Sequence, residues 1–401
     1  MKIIHILGAG RWQVPTIKMA KELDVKVLVT DRDPRAEGFK YADFHEAVDI
    51  IDVESTLKVA RKYDVDGIMP VSDYGIRSAA YIAEDLGLRG LKPEIAEVAV
   101  DKGLFFDKFR KHSVPIPETV TIRNFEEAKE FAGIHGFPLY FKPVDNMGAS
   151  RGIKRIDRQM DLQQEYDYSM SFSEAKRLII QKYIAGIEHN VESLTHEGNT
   201  SVLTISDKKF PPEPKNYPYY NVESIYYPTA VLPQIKNDIE KSVKAAVKAI
   251  GIDFGPTHIE VIHNEEGAFV IDFGARGGGG HVFSTIIDHV TGVNSVRESV
   301  RMALGEEPLN LVPLRGWTAV YQFFQNYRHG RINAIEGEEQ VRCMKEVADF
   351  DILVKVGDLV EPIRTSTQRL GFAVILTRTR SEAEAISKKI RDIIHIEVVA
   401  R

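Results

Sequence analysis

At 401 residues the chain is longer than one hydrophobic core usually supports, so roughly two to four packed modules are expected. Hydrophobic residues make up 43% and charged residues 27%, the balance of a soluble globular protein, and the absence of any run of about 18 apolar residues argues against a membrane span. The net charge of −6, from 52 basic and 58 acidic residues without a basic block, excludes a nucleic-acid footprint, so any polyanion must be held locally.

The first residues, MKIIHILGAG, run into a glycine turn and read as a β-strand rather than a signal peptide. Short β-type runs at 2–7, 26–30, 47–51 and 67–71, with helical stretches at 14–23 and 55–63 between them, predict a parallel α/β unit. Two helices at 76–86 and 93–100 finish that domain near residue 98. A small α+β segment, the expected lid, follows at about 113–182: helix 124–135, strand 138–142, a glycine loop, strand 152–156, helix 173–177 and strand 178–181. A hairpin spans 187–206. Residues 207–233, with six prolines and five tyrosines, read as an irregular loop over a site. Helix 234–250, hairpin 257–273, a glycine run and helix 293–304 complete a second module within 99–312. The remainder, 313–401, reads as a β-rich third module. A single cysteine, Cys343, leaves no partner for an intramolecular disulfide and no cysteine-rich zinc site, which fits a reducing, cytoplasmic compartment.

Gly8-Ala9-Gly10 after the first strand, with Asp31 ending the second, superficially matches a dinucleotide fingerprint. The third glycine position is Gln13, whose side chain would crowd the required helix packing. The glycines are therefore read as a tight strand-to-helix passage, and a nicotinamide oxidoreductase is kept as the outsider.

Further along, Lys142 ends a strand and leads into NMGASRGI at 146–153. Gly148 and Gly152 permit close backbone approach to phosphate oxygens, and Ser150 and Arg151 add donors. Lys102 stands where the first module meets the lid. In LIIQKYIAGIE, 178–188, an apolar strand enters a linker: Gln181 and the backbone of Tyr183 and Ile184 can meet an adenine edge, and Glu188 can accept from ribose hydroxyls. A plain interdomain linker is the bland alternative.

The strongest signal lies at 260 and 272. A three-residue Glu265-Glu266-Gly267 loop places Glu260 opposite Asp272, Ile262 opposite Val270, and Val261 opposite Ile271. Two carboxylates directly opposed repel, and a cation held by oxygen ligands resolves the conflict, as is usual for Mg²⁺; a solvated acidic rung is the alternative. Arg276 and four glycines, 277–280, follow. The arginine offers a planar fork for a phosphoryl or carboxylate group, and Gly278 and Gly279 let a substrate lie against the backbone.

In this order and spacing, Lys102, Lys142, the GASRG loop, QKYI, Glu188, Glu260, Asp272 and Arg276 resemble the ATP-grasp superfamily across almost the whole chain. The resemblance implies an α/β architecture of a Rossmann-like pre-ATP-grasp domain (1–98) that does not bind NAD, an ATP-grasp domain (99–312) with an α+β lid, and a small β-rich C-terminal domain (313–401). It implies ATP and Mg²⁺, with Mn²⁺ as a substitute: Lys102, Lys142 and the glycine loop on phosphates, the 181–184 hinge on adenine, Glu260 and Asp272 on metal, and Arg276 on the reacting groups. Two positions depart from the family pattern, Gly274 where many relatives carry asparagine and Asp272 where glutamate is commoner. The stretches TISDKKF and NVESIYYP, with GPTHIEV and DFGARGGGGH, look most like the carboxylate-amine ligases that make dipeptides, although relatives often have histidine where Tyr226 stands. An ADP-forming ligase working through an acyl phosphate is thus expected. Its expected partners are a small-molecule carboxylate and an amine, with a homodimer left open. His281 is the nearest guess for a general base and Glu223 for an ammonium partner. Carboxylation, thioester ligation and ATP binding without turnover are the alternatives.

Overall fold

The computed structural model describes residues 1–146, 148, 150–211 and 221–400. The near-continuous apolar runs of Ile3–Leu7 and Lys26–Asp31 suit strands covered on both faces, and they lie centrally in a four-stranded parallel sheet. The strand order is Phe44–Ala47, Lys26–Asp31, Ile3–Leu7, Gly67–Pro70. The strand expected at 47–51 therefore lies earlier, where Phe44 rather than Ile50 pairs with Leu28.

The segment 113–182, expected as a lid, carries a four-stranded antiparallel sheet in the order Thr119–Ile122, Leu178–Lys182, Leu139–Pro143, Lys154–Ile156. Helices Phe125–His135 and Leu162–Met170 pack on it through Phe131, Leu162 and Tyr166. The helix expected at 173–177 is absent. Asp145 accepts from Ser173 Oγ and Ala175 N, offering this segment turn bonds in place of helical ones. The helix Leu162–Met170 was not anticipated.

A second antiparallel sheet, in the order Asn199–Ile205, Ile187–His196, Phe254–Asn264, Gly267–Gly274, faces helix Pro233–Ile250 through Val243, Val247 and Val270. Its hairpin register corrects the expected one. Glu260 faces Asp272 as anticipated, but Val261 faces Val270 and Asn264 faces Gly267, so the turn holds only Glu265 and Glu266. A bulge at Ile271 absorbs the extra residue and restores the register at the acidic rung.

The stretch 207–233 is not wholly irregular. Asp207–Lys209 and Ser224–Tyr227 form two strands that join Thr318–Phe324, Gly371–Thr377 and Val347–Ile352 in one sheet. Of the expected tyrosine-rich roof at 207–229, residues 212–220 lie outside the described residues. A three-stranded sheet of Leu359–Val360, Gly330–Glu336 and His395–Val399 completes the β-rich C-terminal part, and helix Arg380–Ile393 packs through Ala383 and Ile390 on the five-stranded sheet. No helix among the described residues is long and apolar enough to cross a membrane.

Candidate active site

At the carboxyl ends of the parallel strands, where a dinucleotide would settle, Asp31 instead ties the turn together. Its carboxylate accepts from Ala9 N at 2.9 Å and Asp33 N at 3.0 Å. The crevice is filled by Gly277 to Gly280 against Trp12, Gln13, Pro70 and Val71, leaving a void of about 10 Å³. The residues that follow the first glycines, Trp12 and Gln13, thus face the second glycine run, and no room is left there for a dinucleotide.

A cavity of about 490 Å³ opens between the lid sheet, the second sheet and the C-terminal sheet. Lys102 enters it from the first turn of helix Lys102–Lys111, which Asp101 caps through Leu104 N while pairing with Arg177. Its Nζ donates to Asp272 at 2.5 Å. Lys142, at the end of its buried strand, donates to Ile271 O at 2.8 Å. The bulge at Ile271 thus brings a carbonyl to Lys142 and, one residue on, a carboxylate to Lys102.

Glu260 and Asp272 are directly opposed. Carboxylates about 5 Å apart repel by roughly 3 kcal/mol at an effective dielectric of ~20. Two lysines offset this: Lys102 on Asp272, and Lys208, whose Nζ lies 2.9 Å from Glu260 and 3.4 Å from Glu188. Burial would push both carboxyls up, but Lys208 beside Glu260, and Lys102 and Lys142 beside Asp272, hold them below the usual carboxylate range. Burial would likewise lower Lys208, yet Glu260 and Glu188 hold it above its ordinary value, whereas for Lys142 burial wins and the pKa falls. A rung of ionised oxygen donors fits a divalent cation of the Mg²⁺ kind.

Arg276 Nε and Nη2 both donate to Asp73 Oδ2, at 3.1 and 3.0 Å, and Asp73 outweighs burial to hold the guanidinium more firmly charged. A Cβ at Gly274 would stand 3.1 Å from Asp73 Oδ1, so a carboxylate from the first domain fills the space beside that departure from the family pattern. Asp73 and Lys208 were both missed as site residues. Lys208 sits in a quoted stretch as one of two adjacent lysines, and Asp73 is sequence-distant from everything it meets.

Gly148, Ser150, Gln181, Tyr183, Ile184, Glu188 and Gly279 also line the cavity. Gly148 and Ser150 have positive φ, 79° and 56°, which turns the loop inward. Gly152 is not on the wall. A Cβ there would meet Phe172 and Pro143 at 2.8 Å, so its role is packing. In the hinge, Gln181 Nε2 donates to Thr119 Oγ1 and Tyr183 N to Pro138 O, which leaves Ile184 N as the backbone donor without a partner among the described residues. Three expected substrate residues do not line the cavity. Gly278 N donates to the buried Glu192, whose other oxygen meets His258 Nδ1 at 2.5 Å. His281 is buried, with Nε2 2.8 Å from Asp349, and so serves the junction with the C-terminal sheet rather than an incoming amine. Glu223 pairs through its backbone with Lys209 and Phe323.

Residues 135–285 match the ATP-grasp domain family, and the chain belongs to the class of ATP-dependent, ADP-forming ligases built on that domain. Within it, residues 322–399 match the L-amino acid ligase C-terminal domain 2, which places the chain beside the L-amino acid ligases. Over its full length it superimposes on an L-amino acid ligase from Bacillus licheniformis with a TM-score of 0.85 at 22% identity, covering 100% of this chain and 99% of that one. The biotin carboxylase domain dimer of Hydrogenobacter thermophilus 2-oxoglutarate carboxylase, solved with MgADP and bicarbonate, gives 0.75 at 17% identity, covering 99% and 91%. In sequence, the uncharacterized protein y4rH of Sinorhizobium fredii is 21% identical over 383 residues, 93% of this chain and 78% of that protein.

Proposed function

We propose that the chain joins the carboxylate of an amino acid to an amine, converting ATP to ADP and phosphate by way of an acyl phosphate. The observation that carries this reading is the meeting of Lys102, Lys142, the opposed Glu260 and Asp272, and Arg276 on one cavity closed by an L-amino-acid-ligase type of C-terminal domain. ATP lies with its adenine against Ile184, its ribose at Glu188, and its phosphates under Gly148 and Ser150 and against Lys102 and Lys142. Glu260 and Asp272 would hold Mg²⁺, or Mn²⁺ in its place, which supplies charge neutralisation on the phosphates.

The four cations Lys102, Lys142, Lys208 and Arg276 face the four carboxylates Asp73, Glu188, Glu260 and Asp272. ATP brings about four further negative charges, so Lys102 would turn from Asp272 to phosphate, leaving Glu260 and Asp272 as the residues that would hold a divalent cation. Arg276, aimed and charged by Asp73, presents its fork to the carboxylate being phosphorylated and then to the oxyanion formed when the amine attacks. Phosphorylation supplies a leaving group, and catalysis is positioning plus charge stabilisation. Residues 1–98, 99–312 with a mobile lid at 113–182, and 313–401 serve as the working modules, two grasp-side strands being lent to the C-terminal sheet. A cytoplasmic location accords with the lone cysteine, and a homodimer with the dimeric biotin carboxylase domain.

The test is phosphate release over pairs of amino acids, small carboxylates and amines, with products weighed by mass spectrometry. Release that needs both partners and gives ADP with a product lighter by one water supports the reading. AMP with pyrophosphate, or a requirement for bicarbonate, overturns it.

A further inference from the structure

Along one face of the second sheet the registers set three rungs in order: Glu188 with Ile262, then Asn190 with Glu260 and Asp272, then Glu192 with His258 and Gly274. Rungs on one face lie about 6.6 Å apart along a strand, so His258 stands one step past the acidic rung, on the side away from Glu188. It lines the cavity. Gly274 has no side chain, and a Cβ there would lie 3.6 Å from the guanidinium carbon of Arg276, so Arg276 fills the place beside His258 on the same rung. In the reading above, ribose, divalent cation and reacting carboxylate follow one another along this face, and His258 belongs with the last.

His258 is also held in one orientation. The buried Glu192 accepts from Gly278 N at 3.0 Å through one oxygen and meets His258 Nδ1 at 2.5 Å through the other. A carboxylate only accepts, so in the neutral ring the hydrogen sits on Nδ1 and the lone pair on Nε2. Nε2 has no hydrogen-bond partner among the described residues. The other charged groups at this end of the cavity are taken or can only donate. Asp73 is held by Arg276, and Glu260 and Asp272 face Lys208 and Lys102. Arg369, stacked on Phe323 with its guanidinium carbon 3.4 Å from the ring centroid, offers donors alone, as Arg276 does. His281 is turned to Asp349.

An amine that attacks an acyl phosphate needs its lone pair aimed at the carbonyl carbon, and bonding one N–H to a fixed acceptor aims it. We infer that His258 is a catalytic residue of the amide-forming step: its Nε2 accepts a hydrogen bond from the incoming amine and orients the nitrogen toward the carbonyl carbon held at Arg276. This inference rests on the ligase reading above and adds to it the residue that orients the nucleophile. In that step the neutral amine forms the C–N bond with its lone pair. The carbonyl carbon–oxygen bond to phosphate breaks, its electron pair leaves on the phosphate, and the surplus proton of the nitrogen passes to that phosphate. The imidazole keeps its own hydrogen on Nδ1 throughout. Glu192 is a positioning residue, because it decides which ring nitrogen faces the amine.

The experiment compares the full-length enzyme with His258→Asn and Glu192→Gln, using the carboxylate–amine pair found by phosphate release and, as a small nucleophile that needs no orientation, hydroxylamine. In His258→Asn, hydroxamate formation from the same carboxylate with ATP and Mg²⁺ is expected within about 3-fold of wild type, while kcat for the amide falls roughly 30- to 100-fold. Phosphate released per amide formed should rise above one, as stranded acyl phosphate is lost to water. Glu192→Gln offers one oxygen to two donors. Gly278 N can only donate and takes it, so His258 Nδ1 faces an amide N–H and the ring hydrogen moves to Nε2. The same split between amide and hydroxamate is therefore expected there, with KM for ATP and the Mg²⁺ dependence within about 2-fold in both variants. An equal fall in hydroxamate and amide, a change confined to ATP or Mg²⁺, or an unchanged amide rate overturns the inference while leaving the ligase reading intact.

If no pair releases phosphate, the ligase reading fails, and the imidazole decides the inference by itself. Nitrogen NMR of the histidine rings, with His258 assigned by its loss in His258→Asn, should place the hydrogen on Nδ1 in the wild type, and methylamine added with ADP and Mg²⁺ should shift the Nε2 resonance. Glu192→Gln should carry the hydrogen on Nε2 and show no such shift. A hydrogen on Nε2 in the wild type, or no response to methylamine, overturns the inference. Should His258→Asn not fold, Glu192→Gln carries the test alone, and amide and hydroxamate falling together in that variant would count against it.

Discussion

Glu260 is held ionised by Lys208 and opposed to Asp272, so its charge matters more than its volume. Glu260→Gln should therefore fold, with a melting temperature within a few degrees of the parent, while KM for Mg-ATP rises at least about 10-fold or kcat falls comparably. Mg²⁺-independent turnover, or a structure with the two carboxylates on opposite faces, would remove the metal assignment. Arg276 meets Asp73 through two of its nitrogens, a geometry that an ammonium cannot reproduce. Arg276→Lys is expected to lower kcat about 100-fold with ATP binding retained, and an unchanged rate would take Arg276 out of the mechanism. Lys142, Glu188 and Arg276 could be picked out from the sequence because each stands at the end of a recognisable strand or beside a glycine loop, and Glu260 and Asp272 because hairpin register opposes them. Asp73, Lys208 and Arg369 could not, since each acquires its meaning from partners far along the chain.

The hairpin of Phe254–Asn264 and Gly267–Gly274 shows how two local features offset each other. A two-residue turn alone would displace Asp272 by one position and flip it to the other face, but the bulge at Ile271 returns it. The glycine run is the second element with a sharp requirement. A Cβ at Gly277 would overlap the Phe283 ring, and one at Gly278 would lie 2.6 Å from both Glu192 Oε1 and Val282 Cγ1. Gly278→Ala should thus lower stability by about 1–3 kcal/mol in denaturant unfolding, through displaced packing against a buried carboxylate; a neutral result would show that the loop relaxes freely. Gly279, whose Cβ would meet nothing within 4 Å, is the internal control, with an expected change under about 1 kcal/mol. For the lid, hydrogen exchange across 146–153 should slow when a non-hydrolysable ATP analogue and Mg²⁺ bind, and unchanged exchange would argue against closure over the nucleotide.

Across the whole molecule, two part-buried aspartates tie separate segments together. Asp43 is held by Lys21, Lys26 and Val27 N, and Asp207 by His189, Thr229, Ala230 N and Arg380 of the C-terminal helix. Burial opposes ionisation at both, but these partners outweigh it and hold each carboxyl at about 2, against 3.8. A depressed folded-state pKa contributes stability that is present in full above the unfolded value and is lost as pH falls through the folded one. Unfolding free energy should therefore drop between about pH 4 and pH 2, by on the order of 2 kcal/mol per aspartate. Asp207→Asn should flatten part of that fall in acid titration of the denaturant midpoint, and an unchanged profile would dissociate Asp207 from it. The alternation of apolar runs with amphipathic helices, the first glycine turn and the spacing from Lys102 to Arg276 are local patterns, so the chain's α/β class, the set of residues from Lys102 to Arg276 that meet on one cavity and the opposed carboxylate rung were legible in the sequence. The pairing of Ser224–Tyr227 with a strand more than 90 residues away, the seating of the glycine run where a dinucleotide would lie, and the Asp73, Lys208 and Arg369 contacts were decided by tertiary structure alone. The physical reason is that backbone periodicity and turn chemistry act over a few residues, whereas a buried charge is assigned its partner only when separate modules close around one cavity.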